Sequence, residues 1–202
     1  MSVAVVTIIG GMGRWQPNAR GRLEQAALEL FGEHGFENTT VAEIAERAGL
    51  TERTFFRYFA DKREVLFAGA GRLDELLVGA VVAAPDSAPP FEAVAAGLDT
   101  VAAILDERRD FAGRRRKVIA ANAELQEREL IKLASWAAAL AGALRERGVD
   151  ADAASLVAEV GIAVFRVAFD RWLDGDDREL SQLIRESLHE LGDLTASLPA
   201  RR

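Results

Sequence analysis

Between Thr39 and Leu66 the chain reads TTVAEIAERAGLTERTFFRYFADKREVL, and this stretch constrains the fold more than any other. Thr40 is followed three residues later by Glu43, a capping box that satisfies free N–H groups at a helix start. The helix it opens runs from Val41 to Ala48, with Ile44, Ala45 and Ala48 on one face. Gly49 follows, where a left-handed backbone costs glycine little. Leu50 then points inward, and Thr51 caps a second helix, Glu52 to Tyr58. Asp61 and Glu64 form a further capping box, opening a third helix at Lys62. Helix, tight glycine turn and second helix together are the sequence form of a helix-turn-helix. Ala45 supplies the small side chain that two steeply crossing helices need where they touch.

The second helix has two unlike faces. Phe55 and Phe59 form an apolar stripe with Leu50 behind them; Arg53, Arg57 and Thr54 lie roughly opposite, with Tyr58 at the flank. A short basic and hydroxyl-bearing helix, held by its other side, suits the major groove of DNA. There Arg pairs bidentately with guanine, and Thr or Tyr reaches phosphates. Two arginines alone would equally suit a solvated surface; the caps, the turn glycine, the small contact residue and the facing favour the groove.

From about Arg14 to Leu66 the chain resembles the DNA-binding domain of TetR-family transcriptional regulators. The resemblance rests on LFGEHGFENTT, then VAEIAERAGLTERTFFRYF, then DKREVL. It implies that Thr51 to Phe59 is the recognition helix and that Lys62 grips a phosphate. Phe56 departs from the pattern, standing where Tyr is common. Arg53 also departs, standing where a small residue is usual, and so becomes an added base reader. The candidate DNA-contacting residues are Thr40, Thr51, Arg53, Thr54, Arg57, Tyr58 and Lys62.

The net charge of −7 at first opposes nucleic-acid binding. Residues 1–67 carry 8 Lys+Arg against 9 Asp+Glu, so this part is not basic overall either. The placement of charge decides: Arg14, Arg20, Arg22, Arg53, Arg57, Lys62 and Arg63 are expected on the DNA side. An acidic body then limits unspecific adhesion, and binding should weaken steeply with salt. With no cysteine and two histidines, thiolate chemistry is excluded and a His-based metal site has little to draw on. His34 closes a helix before Gly35, where a cation suits the helix dipole. No Gly-rich phosphate loop, Ser/His/Asp set or metal-ligand spacing is present, so neither an enzyme nor a cofactor is expected.

MSVAVVTIIGG at the start has no positive n-region and is too short to span a membrane. Met12 reads as an alternative translation start, with Arg14 and Trp15 as an arm leading into the first helix. That helix runs from about Ala19 to His34; its stripe Leu23, Ala26, Ala27, Leu30 and Phe31 is expected to pack on Ile44, Phe55 and Phe59. A long helix, Lys62 to Val82, leads out of this unit, and PDSAPP after it is the clearest linker. Further helices are expected at Phe91–Glu107, Phe111–Asn122, Glu124–Arg147, Ala151–Leu173 and Asp176–Leu198. Asp150 caps the fourth of these; Asp176 or Asp177 opens the fifth. The expected fold is all-α: a helix-turn-helix domain over 14–66, and a helical bundle over 67–202 carrying a ligand pocket and dimer interface.

Ala154, Leu156, Val157, Val160, Ala163, Val164, Val167 and Ala168 cover so much of one terminal helix that a single neighbour cannot bury them. Leu180, Leu183, Ile184, Leu188, Leu191 and Leu194 do the same on the last. Either both helices pack within one chain or they form a four-helix bundle between two; a groove reader of two half-sites favours the homodimer. Leu98, Val101, Phe111, Trp136, Leu140, Phe165 and Phe169 are either ordinary core or the lining of an effector pocket, and the TetR resemblance favours the pocket. RRRKVIAANAEL through FRVAFDRWLDGD is similar to mycofactocin-system regulators, implying an apolar or acyl-type ligand. Arg114, Arg115, Arg116 and Lys117 either hold an anionic head group or form a solvated face paired with Glu124 and Glu127.

The expectation is a cytoplasmic, ligand-responsive repressor that binds a palindromic duplex operator as a homodimer; the alternative is a helical-bundle interaction protein without operator-specific binding. Arg53→Ala and Arg57→Ala should each abolish selectivity for the operator, whereas Lys62→Ala should weaken binding to every duplex about equally. Gel shifts with specific and scrambled competitors measure both effects. Unchanged operator binding in both arginine variants would assign the reading to another surface.

Overall fold

The computed structural model describes residues 18–67 and 70–196; the arm at Arg14 and Trp15 and the expected helix end at Leu198 lie outside them. Among the described residues every regular element is a helix: α1 Ala19–His34, α2 Val41–Arg47, α3 Glu52–Tyr58, α4 Glu64–Phe67, α5 Ala70–Ala83, α6 Pro90–Asp106, α7 Arg109–Ala120, α8 Ala123–Glu146, α9 Ala151–Leu173 and α10 Leu180–Ala196. The boundaries expected for α1, α3 and α9 agree with these. The helix expected from Lys62 begins at Glu64 instead, because Asp61 accepts the backbone N–H of Arg63 (2.8 Å) and Glu64 (3.1 Å). Residues 68–69 lie outside the description.

α10 also starts later than expected. Asp176 does not open it: its carboxylate accepts the backbone N–H of Arg178 (3.1 Å) and that residue's guanidinium (2.8 Å). These bonds hold its pKa well below the usual carboxylate range. The α10 N-terminus is served by Asp106 at the end of α6, which accepts the Leu180 N–H at 3.1 Å. A cap that comes from another helix has no local sequence signature.

Two apolar cores form. One joins α1, α2 and α3 through Leu23, Ala27, Leu30, Phe31, Ile44 and Phe55. It does not stop at α4: Val118 and Ile119 of α7 and Leu125 of α8 belong to the same core. The other runs through α5, α6, α8, α9 and α10, around Leu77, Leu98, Leu140, Leu144, Trp172 and Leu183.

The second core depends on close helix contacts. A Cβ on Gly97 of α6 would sit 2.9 Å from the Leu77 carbonyl oxygen of α5, and one on Gly161 of α9 would sit 2.7 Å from a Val94 methyl. The exposed end of α5 is closed by Arg147, just past α8, which donates to the carbonyls of Ala84 and Pro85, both at 2.6 Å. Gly79, also helical, has nothing within 4 Å of where a Cβ would sit.

Gly97→Ala is therefore expected to destabilise the fold by about 1–2 kcal/mol, as backbone overpacking outweighs the gain in helix propensity. Gly79→Ala should stabilise it by up to about 1 kcal/mol. Denaturant melts of the two variants check the opposite signs.

Candidate DNA-reading interface and effector domain

The geometry of α3 follows from its anchoring. Phe55 has no exposed surface; its ring lies 5.3 Å from that of Phe59, with the Arg20 guanidinium 5.9 Å over Phe59 on the other side. The turn before α3 is closed by the Leu50 N–H donating to the Ala45 carbonyl at 2.8 Å. Gly49 takes the left-handed backbone (φ 63°) that the turn requires. An Arg22 guanidinium N–H donates to the Ala48 carbonyl from α1.

Thr40 and Thr51 are N-caps. The Thr40 hydroxyl accepts the Glu43 N–H at 3.2 Å while Glu43 accepts the Thr40 N–H at 2.7 Å. That exchange holds the Glu43 carboxyl below its ordinary pKa. Thr51 accepts the Thr54 N–H at 3.2 Å, and the two threonine hydroxyls meet at 3.1 Å.

On the opposite side from Phe55, Arg53 is exposed, and its guanidinium makes no hydrogen bond or ion pair with the described residues. Arg57 is folded against its neighbour: it donates to the Tyr58 hydroxyl at 3.3 Å, its guanidinium 4.9 Å over the ring. To read a base it must turn away from Tyr58, itself exposed.

Lys62 is placed differently from the sequence expectation. Its ammonium donates to the carbonyls of Phe36 (2.7 Å), Thr39 (3.0 Å) and Glu37 (3.1 Å) and sits 4.5 Å over the Phe36 ring. All three donors of the ammonium are engaged, so here Lys62 fastens the loop between α1 and α2. Backbone carbonyls carry no sequence signature, and the lysine alone did not reveal them.

Arg63 is also engaged within the chain. It pairs with Asp61 (2.7 Å) and with Glu124 of α8, and the Asp61 carboxyl is held below its ordinary pKa by the Arg63 hydrogen bond. Arg20 pairs with Glu24 at 3.2 Å, and Arg14 lies outside the described residues. Phe56, singled out in the sequence only as a departure, is 55% exposed on α3.

Of the candidate effector residues, Leu98, Val101, Trp136, Leu140 and Phe165 share the second core, with Phe169 at its edge. The rings form a ladder: Trp136 to Phe165 at 5.5 Å, Phe165 to Phe169 at 5.6 Å, then Trp172 at 5.6 Å. Trp136 donates its indole N–H to Asp74 of α5, which Lys132 also engages at 3.0 Å. Phe111 departs from this group: it packs against the first core, with the Arg108 guanidinium 4.3 Å over its ring. The basic run of α7 is tied down. Arg115 pairs with Glu129 at 2.5 Å and donates to the Leu66 carbonyl at 2.6 Å, Arg116 pairs with Asp174 at 2.6 Å, and Arg114 donates to Gln25 at 3.2 Å. The acids expected as its partners, Glu124 and Glu127, are not the ones it uses.

A turn-linked helix pair presenting basic side chains, joined to a helical body, defines a helix-turn-helix regulator. The profile described as "Bacterial regulatory proteins, tetR family" matches residues 24–68, and the profile described as "MftR C-terminal domain" matches residues 88–196. The chain belongs to the TetR family of transcriptional regulators, in the branch with the MftR C-terminal domain. It is 27% identical over 185 residues to the mycofactocin biosynthesis transcriptional regulator MftR of Mycobacterium tuberculosis, covering 90% of this chain and 93% of that one. It is 39% identical over 82 residues to the transcriptional regulator TcmR of Streptomyces glaucescens, covering 41% of this chain but only 36% of TcmR. Among solved structures, the repressor FadR of Thermus thermophilus, in complex with lauroyl-CoA, shares the fold at a TM-score of 0.57 and 22% identity, covering 91% of this chain and 97% of FadR.

Lys62→Ala is expected to destabilise the protein by about 1.5–3 kcal/mol, the scale of hydrogen bonds to a charged donor. The loss should appear in a thermal melt without DNA. Unchanged melting would return Lys62 to a phosphate-gripping role.

Proposed function

We propose that this chain is a cytoplasmic, ligand-responsive repressor that binds a pseudo-palindromic operator as a homodimer. Residues 14–66 read DNA, and residues 67–202 bind the effector and the second copy. The observation that carries the reading is the outward face of α3, where Arg53 and Arg57 stand opposite a fully buried Phe55. Rigid anchoring with cationic donors on the free side is what base-edge recognition in the major groove requires.

Dimerisation through α9 and α10 is supported by apolar side chains that the single chain leaves uncovered: Leu156 is 66% exposed, Val167 54% and Leu194 71%. Leu156, Ala163 and Val167 fall along one side of α9, so a second copy is their natural cover. Two reading helices then engage half-sites one turn of duplex apart, about 34–36 Å, or a multiple of it. None of the described helices is long and apolar enough to cross a membrane.

An apolar or acyl-type effector is supported by the aromatic ladder in the second core and by the fold shared with FadR, crystallised with lauroyl-CoA. The route from effector to DNA runs through α7 and α8. Arg108 reaches Glu24 of α1 at 3.1 Å, Glu124 holds Arg63, and Arg128 holds Glu64. Displacing α7 would therefore tilt the reading head and change the separation of the two recognition helices. The effector acts only insofar as it prefers that second arrangement.

DNase footprinting upstream of the gene and its neighbours should show two protected half-sites. Leu156→Glu with Val167→Glu should give a monomer in sedimentation and lose protection. Titrated lauroyl-CoA should release the wild-type footprint. A monomeric wild-type chain that still protects both half-sites would overturn the dimer reading.

A further inference from the structure

We propose that Phe56 is a specificity determinant that reads the 5-methyl group of a thymine in each half-site. The inference rests on the assignment of α3 as the reading helix and goes beyond it, because no base has been assigned to any side chain other than the arginines. At 55% exposure Phe56 is the most exposed aromatic ring among the described residues. Its only ring partner among them is Phe55, edge-on at 5.5 Å and 82°. That contact holds one edge of the ring, which lowers the rotamer freedom left to lose on binding.

The position on the helix supplies the rest. Phe56 lies about 100° around α3 from the buried Phe55, next to Arg53, which is three residues earlier and therefore a surface neighbour. A phenyl ring has no donor for a phosphate, and pressing it against one would strip water from the anion without replacement. Glu52, exposed on the same flank, makes close approach to a phosphate still less favourable. Among the base edges exposed in the major groove of unmodified duplex, the thymine methyl is the one apolar group, and phenylalanine is a suitable contact for it. Arg53 taking a guanine then places a thymine beside that guanine in the half-site.

The test selects duplexes from a randomised pool with the full-length protein, then amplifies the enriched pool with either dTTP or dUTP. Uracil keeps the base pairing and removes only the methyl. Wild type should bind the uracil pool roughly threefold to fivefold more weakly per half-site, the value of one buried methyl. Phe56→Ala should show a ratio near one, and Phe56→Leu, which keeps an apolar side chain, should retain part of the dependence. Each ratio is taken within one protein, so a variant's folded fraction cancels. Sequencing should show a fixed thymine in the wild-type pool that becomes variable in the Phe56→Ala pool. Equal wild-type binding to both pools, or an equal loss in wild type and Phe56→Ala, would overturn the proposal. Failure to enrich any duplex would instead overturn the DNA-reading assignment itself, before the methyl comparison is reached.

Discussion

Everything on the reading side depends on how Phe55 is held. Its ring is wholly enclosed by the first core, with Phe59 one turn on. Burying such a side chain contributes about 1.5–3 kcal/mol, a large share for a helix of 7 residues that could not persist alone in water. The position of Phe55 dictates that of Arg53 and Arg57, because a short helix pinned by one face has no remaining freedom to roll. The placement of both arginines is thus set from behind, by apolar packing.

The same logic reconciles an acidic protein with a nucleic-acid partner. Most of the cations near the reading head are engaged internally. Arg22 and Lys62 close backbone carbonyls, Arg63 bridges to α8, and Arg108, just before α7, meets Glu24. What remains directed outward on α3 is a small number of arginines on an anchored helix. On the proposed function, such a surface would steer weakly over distance and discriminate at contact.

The sequence made legible those features whose causes are local. Thr40 with Glu43, Gly49 and Thr51 state the helix ends in the letters beside them, and α1, α3 and α9 have the expected bounds. Features fixed at a distance were not legible. The start of α10 is set by Asp106, 74 residues earlier, and the carbonyl partners of Lys62 leave no mark on composition. Phe111 shows the same limit in the effector domain: it is a large apolar residue like the other candidates, yet α7 turns it toward the first core. The caps and the buried stripe of α3 were therefore well foreseen, whereas the carbonyl partners of Lys62 and the packing of Phe111 were not.

Val118, Ile119 and Leu125 complete the apolar centre of the reading head although they follow it by more than fifty positions. The head is consequently not a detachable module. Transplanting residues 14–66 onto a foreign body would strip Val118, Ile119 and Leu125 from that core and bare the side of α1 that packs on α7. A chimera that retains reading must carry α7 and the first turn of α8 with it, so new operators and new sensors cannot be recombined freely at the chain's apparent seam.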